Sequence, residues 1–344
     1  MNLGVSDALS ERGVHAASRP ERPAEARAAV ITDLTTPSRR APSPLNGLRA
    51  QPRRKTNPSL AGVRSEAVGA TCLSPQGHAS LEVQLVAGES AVTSSYATNP
   101  LKLLTPRARG QSVWTYTSSF GGGLVAGDQT RLDLRIGLGA RCFLGTQAST
   151  KIYRNPAALP SGHETRAMLE ASSLLVFAPD PIQAFAGSTY AQRQEFRLAP
   201  DASLVLLDWF TSGRAARGER WECSRFASRN EVLIDKRCVF FDSLLLSPDD
   251  GDLGSNHRLG RFNCFATLLL LGPAVRDFAS QSLEQNSKEP VTRQANLIAS
   301  ASPVAGGAVL RIAGERVEAI GHEIHRHLAV LRDLLGDDPW ARKW

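Results

Sequence analysis

The sequence predicts a mainly β protein, namely a coiled or solenoid-like stack of antiparallel strand pairs with a few helices, including one C-terminal amphipathic helix. Three observations support this fold class. Short runs alternate apolar and polar residues, and a strand, turn, strand pattern recurs about every 30 residues. The last long segment has helical periodicity instead.

The alternation begins near His78 and is clearest in residues 131–136. There Leu132, Leu134 and Ile136 share one face of an extended chain, and charged residues share the other. Runs of this kind are typical of half-buried strands.

Similar strand, turn, strand units turn near Ala140, near Ser172 and at residues 200–202. Each pair buries its apolar face only against the next one, so stacked pairs at this period indicate a coiled or solenoid-like architecture. A plain β-sandwich with regularly spaced turns fits the pattern nearly as well, and the sequence leaves both open.

The elements after this region are mixed. A hairpin is predicted at residues 231–241 with its turn at Asp235-Lys236, strands at 262–271 and 308–312, and a polar helix at 278–288. The clearest helix follows, ending at Gly336 and Pro339. Its apolar residues recur at spacings of three and four: Val317, Ile320, Ile324, Leu328, Leu331 and Leu335.

The 344 residues divide into three regions. Residues 1–76 are rich in Pro, Arg, Ala and Ser, which predicts a disordered basic N-terminal extension. Residues 77–336 form the β-rich domain that ends in a helix, and residues 337–344 form a short C-terminal tail. Of the formal net charge of +7, residues 1–75 carry a surplus of 5, from 11 Lys and Arg against 6 Asp and Glu. The near-neutral remainder has no basic stripe, so we expect no binding to nucleic acid.

The cysteines are odd in number, widely spaced and never in a C-x-x-C pair, which argues against a disulfide framework or a zinc knuckle and favours the reducing cytoplasm. They are Cys72, Cys142, Cys223, Cys238 and Cys264. The longest apolar run, residues 262–273, is shorter than the roughly 18 residues of a spanning helix, so we expect no membrane segment.

A glycine-rich loop at residues 120–128 has the most site-like sequence. Gly122 and Gly127 have the spacing of the two glycines of a phosphate-binding P-loop. Asp128 and Gln129 stand where that loop needs Lys and Ser or Thr, so the sequence predicts a tight turn with glycines of positive φ.

The histidine-rich segment at residues 322–327 resembles a zinc-protease helix only superficially, because Arg326 occupies the place of the second histidine. His322 and His325 share a helix face. Their charged neighbours predict a solvated polar face, with adventitious metal binding left open.

Three acids adjoin apolar strands and are candidates for general bases or metal ligands if they converge, namely Asp128, Asp180 and Asp208. Turn or capping roles are the default for each of them. No nucleophile elbow of the form G-x-S-x-G is present.

Four sequence segments, taken together, identify a family more specifically than the single motifs above do. Residues 112–128 (SVWTYTSSFGGGLVAGD) resemble the signature of the UreD (UreH) family of urease accessory proteins, and residues 146–154 (TQASTKIYR) are similar to its second phrase. Residues 179–182 (PDPI) and 203–214 (SLVLLDWFTSGR), the latter followed by residues 218–221 (GERW), are similar to the third and fourth. The matching positions include Gly121, Gly122, Gly123, Gly127, Gln147, Thr150, Lys151, Pro181, Trp209, Ser212, Gly213 and Arg214.

This resemblance covers roughly residues 77–336. Gly145 departs from it, because the family usually has a hydroxyl residue there, and the first 75 residues have no counterpart.

The resemblance implies an all-β protein of coiled topology that is not an enzyme. It implies a scaffold that binds apo-urease together with UreF, a helical partner, and UreG, a GTPase that carries nickel. No cofactor is expected to bind stably, but Ni²⁺ is expected in transit. Weak oxygen ligands suit such transit, whereas thiolate or multi-His sites would trap the ion.

On this basis Asp128, Asp180 and Asp208 are expected to line or shape the nickel path, with Gln147, Thr150 and Lys151 organising the adjacent turn. Two alternatives stay open at this point. One is a β-rich binding module unrelated to nickel, and the other is a hydrolase that uses the three acids.

Overall fold

The computed structural model describes residues 76–107, 110–288, 291–292 and 294–340. It has 49% of residues in strands and 16% in helices, which confirms the predicted mainly β class with few helices. Apart from Gln76, the predicted N-terminal extension lies outside the described residues, and so do the last four residues of the predicted tail.

The described chain contains eighteen strands, three α-helices and four short 3₁₀-helices. The strands are β1 (Gly77–Val86), β2 (Glu89–Ala97), β3 (Leu101–Leu104), β4 (Val113–Ser119), β5 (Gly123–Leu124), β6 (Gln129–Ile136), β7 (Arg141–Thr146), β8 (Thr150–Ile152), β9 (Ser161–Leu169), β10 (Leu174–Phe177), β11 (Ile182–Ala184), β12 (Thr189–Leu198), β13 (Ser203–Thr211), β14 (Arg225–Ile234), β15 (Arg237–Leu246), β16 (Cys264–Leu271), β17 (Leu297–Val304) and β18 (Gly307–Gly314). The helices are α1 (Arg276–Lys288), α2 (Val317–His327) and α3 (Leu331–Leu335).

The strands form two sheets. Sheet A has the order β15-β14-β12-β9-β6-β1-β2. Sheet B runs β17-β18-β16-β13-β10-β7-β4-β3, and the short strands β5, β8 and β11 join it at one side.

Successive coils of the chain stack in parallel, as a solenoid requires. In sheet A, Leu132 of β6 lies opposite Thr165 of β9, which lies opposite Gln194 of β12. These positions are 33 and 29 residues apart, which matches the recurrence in the sequence. In sheet B the strands β7, β10 and β13 pair in the same parallel way, so the solenoid-like interpretation is confirmed over the plain β-sandwich.

The two strands of each repeated unit do not form a hydrogen-bonded hairpin. The turn after β6 carries the chain across the core, so β6 lies in sheet A and β7 in sheet B. Gly139 and Ser172 make these crossings with positive φ angles of 66° and 55°. Each strand therefore pairs with the same strand of the neighbouring coil.

Antiparallel strands finish the stack. The predicted hairpin at residues 231–241 is the β14–β15 pair, and its turn residues Asp235 and Lys236 both have positive φ, as two-residue hairpin turns require. At the other end of sheet A, β1 pairs antiparallel with β2.

Apolar side chains form three clusters. The first lies between the sheets and includes Leu132 and Phe196 from sheet A with Leu206 from sheet B. The second covers the outer face of sheet B and contains Leu268 and α2 residues. Sheet B is thus buried on both faces, which explains the continuous apolar runs at residues 204–207 and 268–271. The third cluster, again between the sheets, is rich in aromatic residues such as Tyr190, Phe210 and Phe226.

The predicted C-terminal helix is present but broken. Its apolar stripe is buried as expected, yet α2 ends at His327 and α3 begins at Leu331. The break redirects α3 onto β7, whereas α2 packs on β16 and β18. Gly336 ends α3 in the left-handed conformation, as the sequence predicted. Among the described residues, no helix combines the length and hydropathy needed to cross a membrane.

One residue of the histidine-rich segment, His327, links α2 to α1 by a hydrogen bond. His322 and His325 are exposed, as predicted, but His327 is buried. Its Nδ1 lies 3.1 Å from Ser282 Oγ of α1, and its Nε2 lies 3.1 Å from Glu323 Oε1. The bond to His327, joined by Arg326 and opposed by burial, lowers the pKa of Glu323 to about 2.

The interaction of Glu323 with His327 predicts a pH dependence of stability. The pKa of Glu323 is below its ordinary value of 4.5, so the unfolded chain binds more protons between about pH 4.5 and 2. The stabilisation is present above this window and is lost as the pH falls through it, on the order of 2 kcal/mol in total. Denaturant unfolding from pH 5 to 3 should show a shallower slope for Glu323→Gln than for wild type. The exposed control Glu318→Gln should keep the wild-type slope, and equal slopes for both variants would contradict the assignment.

Candidate functional site

A layer of polar side chains separates the two apolar clusters between the sheets. In β9, β12 and β14 the inward positions should be apolar by simple alternation, but several are polar and buried. They are Thr165, Gln192, Gln194, Ser228 and Asn230.

The parallel register stacks these side chains into two rows. One row runs Thr130, His163, Gln192 and Ser228, and the adjacent row runs Thr165, Gln194 and Asn230. Strands β9, β12 and β14 contribute to both rows, whereas β6 contributes Thr130 to the first row and the apolar Leu132 to the second. The polar layer therefore extends over these four neighbouring strands of sheet A.

Asp208 of β13 faces this layer from sheet B and is 7% exposed. Its Oδ1 accepts a 2.8 Å hydrogen bond from Gln192 Nε2. Its Oδ2 accepts 2.7 Å bonds from Ser228 Oγ and Asn230 Nδ2. Burial raises the pKa of Asp208, and the three donors partly offset that rise. The site therefore holds a carboxyl group for which ionisation is costly unless a cation approaches.

His163 adds an imidazole ring to the layer. Thr130 Oγ1 lies 2.8 Å from its Nδ1 and Thr165 Oγ1 lies 3.1 Å from its Nε2. Burial lowers the pKa of His163 to about 4, so the ring is neutral at physiological pH.

Two buried carbonyl oxygens in the layer have no hydrogen-bond partner among the described residues, namely Gln194 Oε1 and Asn230 Oδ1. Asn230 Nδ2 donates to Asp208 Oδ2, which leaves Asn230 Oδ1 as the unpaired atom of this amide. An unpaired buried acceptor lowers the stability of the folded state by about 1–3 kcal/mol. Such an acceptor can be satisfied by a bound water or another polar ligand.

The layer opens into a cavity of about 140 Å³. At roughly 30 Å³ per molecule, this volume has room for a few waters. Its polar lining includes Ser118, Thr130, Thr146, Gln147, Ser149, Thr150, His163, Asp180, Gln192, Gln194 and Asp208. Most of the polar atoms in this lining are oxygens, a type of donor that binds divalent cations weakly and reversibly.

Asp180 is a second carboxylate in the cavity lining. Thr146 Oγ1 donates a 3.1 Å bond to its carboxylate and accepts a 2.7 Å bond from its backbone N–H. Trp209 Nε1 donates to the carbonyl of Pro179 at 2.7 Å, and Pro181 is buried. Asp180 also lines an outer groove of about 440 Å³ between sheet B and α2. It therefore stands between the interior and the surface.

The glycine-rich loop is the tight turn that the sequence predicted. Gly121, Gly122 and Gly127 all have positive φ. Asp128 closes the turn by accepting a 2.8 Å bond from Val125 N–H, and it is not among the cavity-lining residues. The structure thus brings Asp180 and Asp208 to one cavity and places Asp128 in the turn beside it. This geometry gives no support to a hydrolase that joins all three acids.

Gly123 has a packing role within the loop. A Cβ at this position would lie 2.1 Å from the backbone oxygen of Lys151, because β5 and β8 approach closely there. We expect Gly123→Ala to lower the free energy of unfolding by about 2 kcal/mol, as overpacking against rigid backbone does. Gly121→Ala meets open space and incurs only left-handed strain, about 1 kcal/mol. Urea denaturation of both variants tests the order, and a larger loss for Gly121→Ala would contradict it.

The remaining predicted residues support the cavity or its surroundings. Ser118 Oγ donates to Gln147 Oε1 at 2.7 Å, and Thr150 lines the cavity from β8, next to Lys151. After β13, Ser212 Oγ contacts Asn263 Oδ1 at 3.3 Å.

Arg214 anchors the segment that follows Gly213. Its Nε and Nη2 donate to Glu219 Oε2 at 2.8 and 2.5 Å, and its guanidinium lies over the Phe185 ring. Glu219 is buried and also accepts a 2.7 Å bond from Ala186 N–H. These residues hold the chain where it leaves the coil.

Sequence reasoning missed His163, Gln192, Gln194, Ser228 and Asn230. A signal existed in residues 190–196 (YAQRQEF), where Gln192 and Gln194 occupy alternating positions between two aromatic residues. Two amides on an otherwise apolar strand face indicate an internal polar site.

The fold and the site together define a β-solenoid protein with an oxygen-lined cavity between two apolar cores. Residues 75–344 match the family described as UreD urease accessory protein. The chain is 48% identical to a urease accessory protein UreD of Sorangium cellulosum over 260 residues, 75% of this chain and 81% of that protein. It is 41% identical to a urease accessory protein UreD of Anaeromyxobacter sp. (76% and 88% covered) and 32% identical to urease accessory protein D of Arabidopsis thaliana (75% and 98% covered). The chain belongs to the UreD family of urease accessory proteins.

Proposed function

We propose that this urease accessory protein binds apo-urease together with UreF and UreG and assists nickel insertion into the urease metallocentre as a non-catalytic scaffold. The observation that carries the proposal is the buried polar layer around Asp208. A layer of this kind costs stability in a protein interior, so its presence between two good apolar cores calls for a functional reason.

The cavity chemistry suits a divalent cation in transit. Carboxylate, amide and hydroxyl oxygens, helped by one neutral imidazole at His163, offer weak ligands in succession. Burial raises the pKa of Asp208 because it disfavours the charged form. An arriving cation would supply the opposite charge and favour the carboxylate. In this proposal Asp180 and Asp208 line the path, while Asp128 shapes it through the turn.

The cytoplasm is the proposed location. The four cysteines among the described residues are all free, as a reducing compartment allows.

Co-expression with UreF, UreG and apo-urease tests the role as a whole. With this chain present, we expect urease to gain nickel and to hydrolyse urea, and without it both should fall to background. Equal nickel content with and without the chain would overturn the proposal.

A single substitution tests the cavity. Gln194→Leu removes the unpaired Oε1 at nearly constant volume, so the folded state should be as stable as wild type or more stable. We expect nickel delivery to fall several-fold, because the cation path loses an oxygen ligand. Gln281→Leu, on the exposed face of α1, is the matched control and should deliver nickel normally. Normal delivery by Gln194→Leu in an intact complex would remove the cavity from the path.

A further inference from the structure

The polar layer continues past the cavity toward one end of the solenoid. In sheet A, Asn230 of β14 lies opposite Asp242 of β15. In sheet B, Asp208 lies opposite Thr267 of β16, which lies opposite Arg311 of β18. The polar rows of the two sheets therefore both lead to this end.

The side chains of Thr267 and Arg311 lie on the inward face of sheet B, so the polar row there continues between the sheets. Leu269 of β16 and Val309 of β18 belong to the apolar cluster between the sheets. Thr267 and Arg311 are two residues from them on the same strands, so they lie on the same face.

The two rows meet in an ion pair. Arg311 Nη2 lies 3.0 Å from Asp242 Oδ1, and the side chains are 51% and 26% exposed. Asn230, the preceding residue of the row in sheet A, is 1% exposed. The layer thus passes from the buried interior to solvent at this pair, which spans the gap between the sheets.

Asp242 is also electrostatically coupled to the cavity, since its charge contributes to the raised pKa of Asp208. Asn230, the cross-strand partner of Asp242, donates to Asp208, as does Ser228 two residues earlier on β14. Beyond Asp208, the next carboxylate toward this end is that of Asp242.

We propose that the Asp242–Arg311 ion pair is the gate at this second mouth of the cation path. The inference rests on the proposed function. Arg311 occupies the carboxylate that a divalent cation must use there, and its positive charge opposes passage of the ion. The gate opens when the guanidinium leaves Asp242, and the freed carboxylate then serves as the outermost ligand.

The test measures nickel transfer in the assembled complex of this chain with UreF, UreG and apo-urease. Nickel bound by urease is followed over time by metal analysis after removal of free ion, independently of urea hydrolysis. Arg311→Gln should raise the rate of transfer at least threefold, and Asp242→Asn should lower it at least threefold. Exposed ion pairs contribute little to stability, so both variants should fold, which thermal unfolding verifies.

Arg166→Gln is the matched control, because Arg166 pairs with Glu164 at similar exposure on the outer face of sheet A. If Arg311→Gln and Asp242→Asn transfer nickel as Arg166→Gln does, while Gln194→Leu is slow, the gate is overturned and the proposed function stands. If Gln194→Leu is also normal, the cavity path itself fails. A slower rate for Arg311→Gln would likewise overturn the gate.

Discussion

Asp208→Asn is expected to reduce nickel delivery to urease at least tenfold while the protein remains folded. The change keeps the shape of the side chain but removes the one carboxylate that faces Gln192, Ser228 and Asn230. At 4 Å and an effective dielectric constant of about 20, a unit charge pair is worth about 4 kcal/mol, and a divalent ion roughly doubles this. The loss of this attraction should slow every step in which the ion rests at Asp208.

Asp128→Asn is the control for this prediction. Its carboxylate accepts one bond from Val125 N–H in the turn, and an amide oxygen can replace it there. We expect nickel content and urea hydrolysis within twofold of wild type for this variant. If the two variants behave alike, the charge of Asp208 does not act on the ion.

The pH dependence of the Asp208 contribution has the opposite sign to that of Glu323. The pKa of Asp208 is raised in the folded state, so the native protein binds more protons between the ordinary value of 3.8 and that raised pKa. Its ionisation therefore lowers stability as the pH rises through this window. Asp208→Asn should remove that part of the pH profile.

Arg214→Ala is expected to lower the free energy of unfolding by about 3 kcal/mol. The variant leaves Glu219 buried with backbone partners at Ala186 and at residue 214 but without its charged partner, and removing one member of a buried pair is strongly destabilising. It also removes the guanidinium from the Phe185 ring. Arg214→Lys should recover only part of the loss, because Lys cannot form the two-pronged bond.

Urea denaturation of these variants beside Arg217→Ala provides the measurement. Arg217 is exposed three residues further on, so its removal should change stability by less than about 0.5 kcal/mol. A loss below about 1 kcal/mol for Arg214→Ala would contradict the anchoring role. Burial raises the pKa of Glu219, but the Arg214 and Ala186 bonds outweigh this and hold it below its ordinary value. The stabilisation should therefore disappear as the pH falls below about 4.5.

Much of the fold could be predicted because the signals were local. Alternation at residues 131–136 and the turn at Asp235-Lys236 are properties of neighbouring residues, and both were correct. The recurrence near 30 residues predicted stacking. The crossing of each unit between two sheets could not be predicted, because it depends on where the next coil lies rather than on the turn after β6 itself. The break after His327 likewise follows from the different surfaces beneath α2 and α3.

The candidate site was predicted only in part for the same reason. Asp128, Asp180 and Asp208 look alike in sequence, since each adjoins an apolar strand. What distinguishes them is the partner supplied by a distant strand, such as Asn230 for Asp208 or Thr146 for Asp180. Gln192 and Gln194 were visible as polar residues, but their meaning depended on the assignment of the inward face.

The parallel register of sheet A also fixes a distance. Together, the two polar rows extend from Thr130 on β6, through β9, β12 and β14, to Asp242 on β15. These five strands are successive neighbours in the sheet. With about 4.8 Å between adjacent strands, the proposed route from Thr130 to Asp242 measures about 19 Å. Backbone hydrogen bonds set this length, so under the proposed function side-chain substitutions should alter how readily an ion moves along the route without altering its length. Only the gain or loss of an entire coil would lengthen or shorten the route.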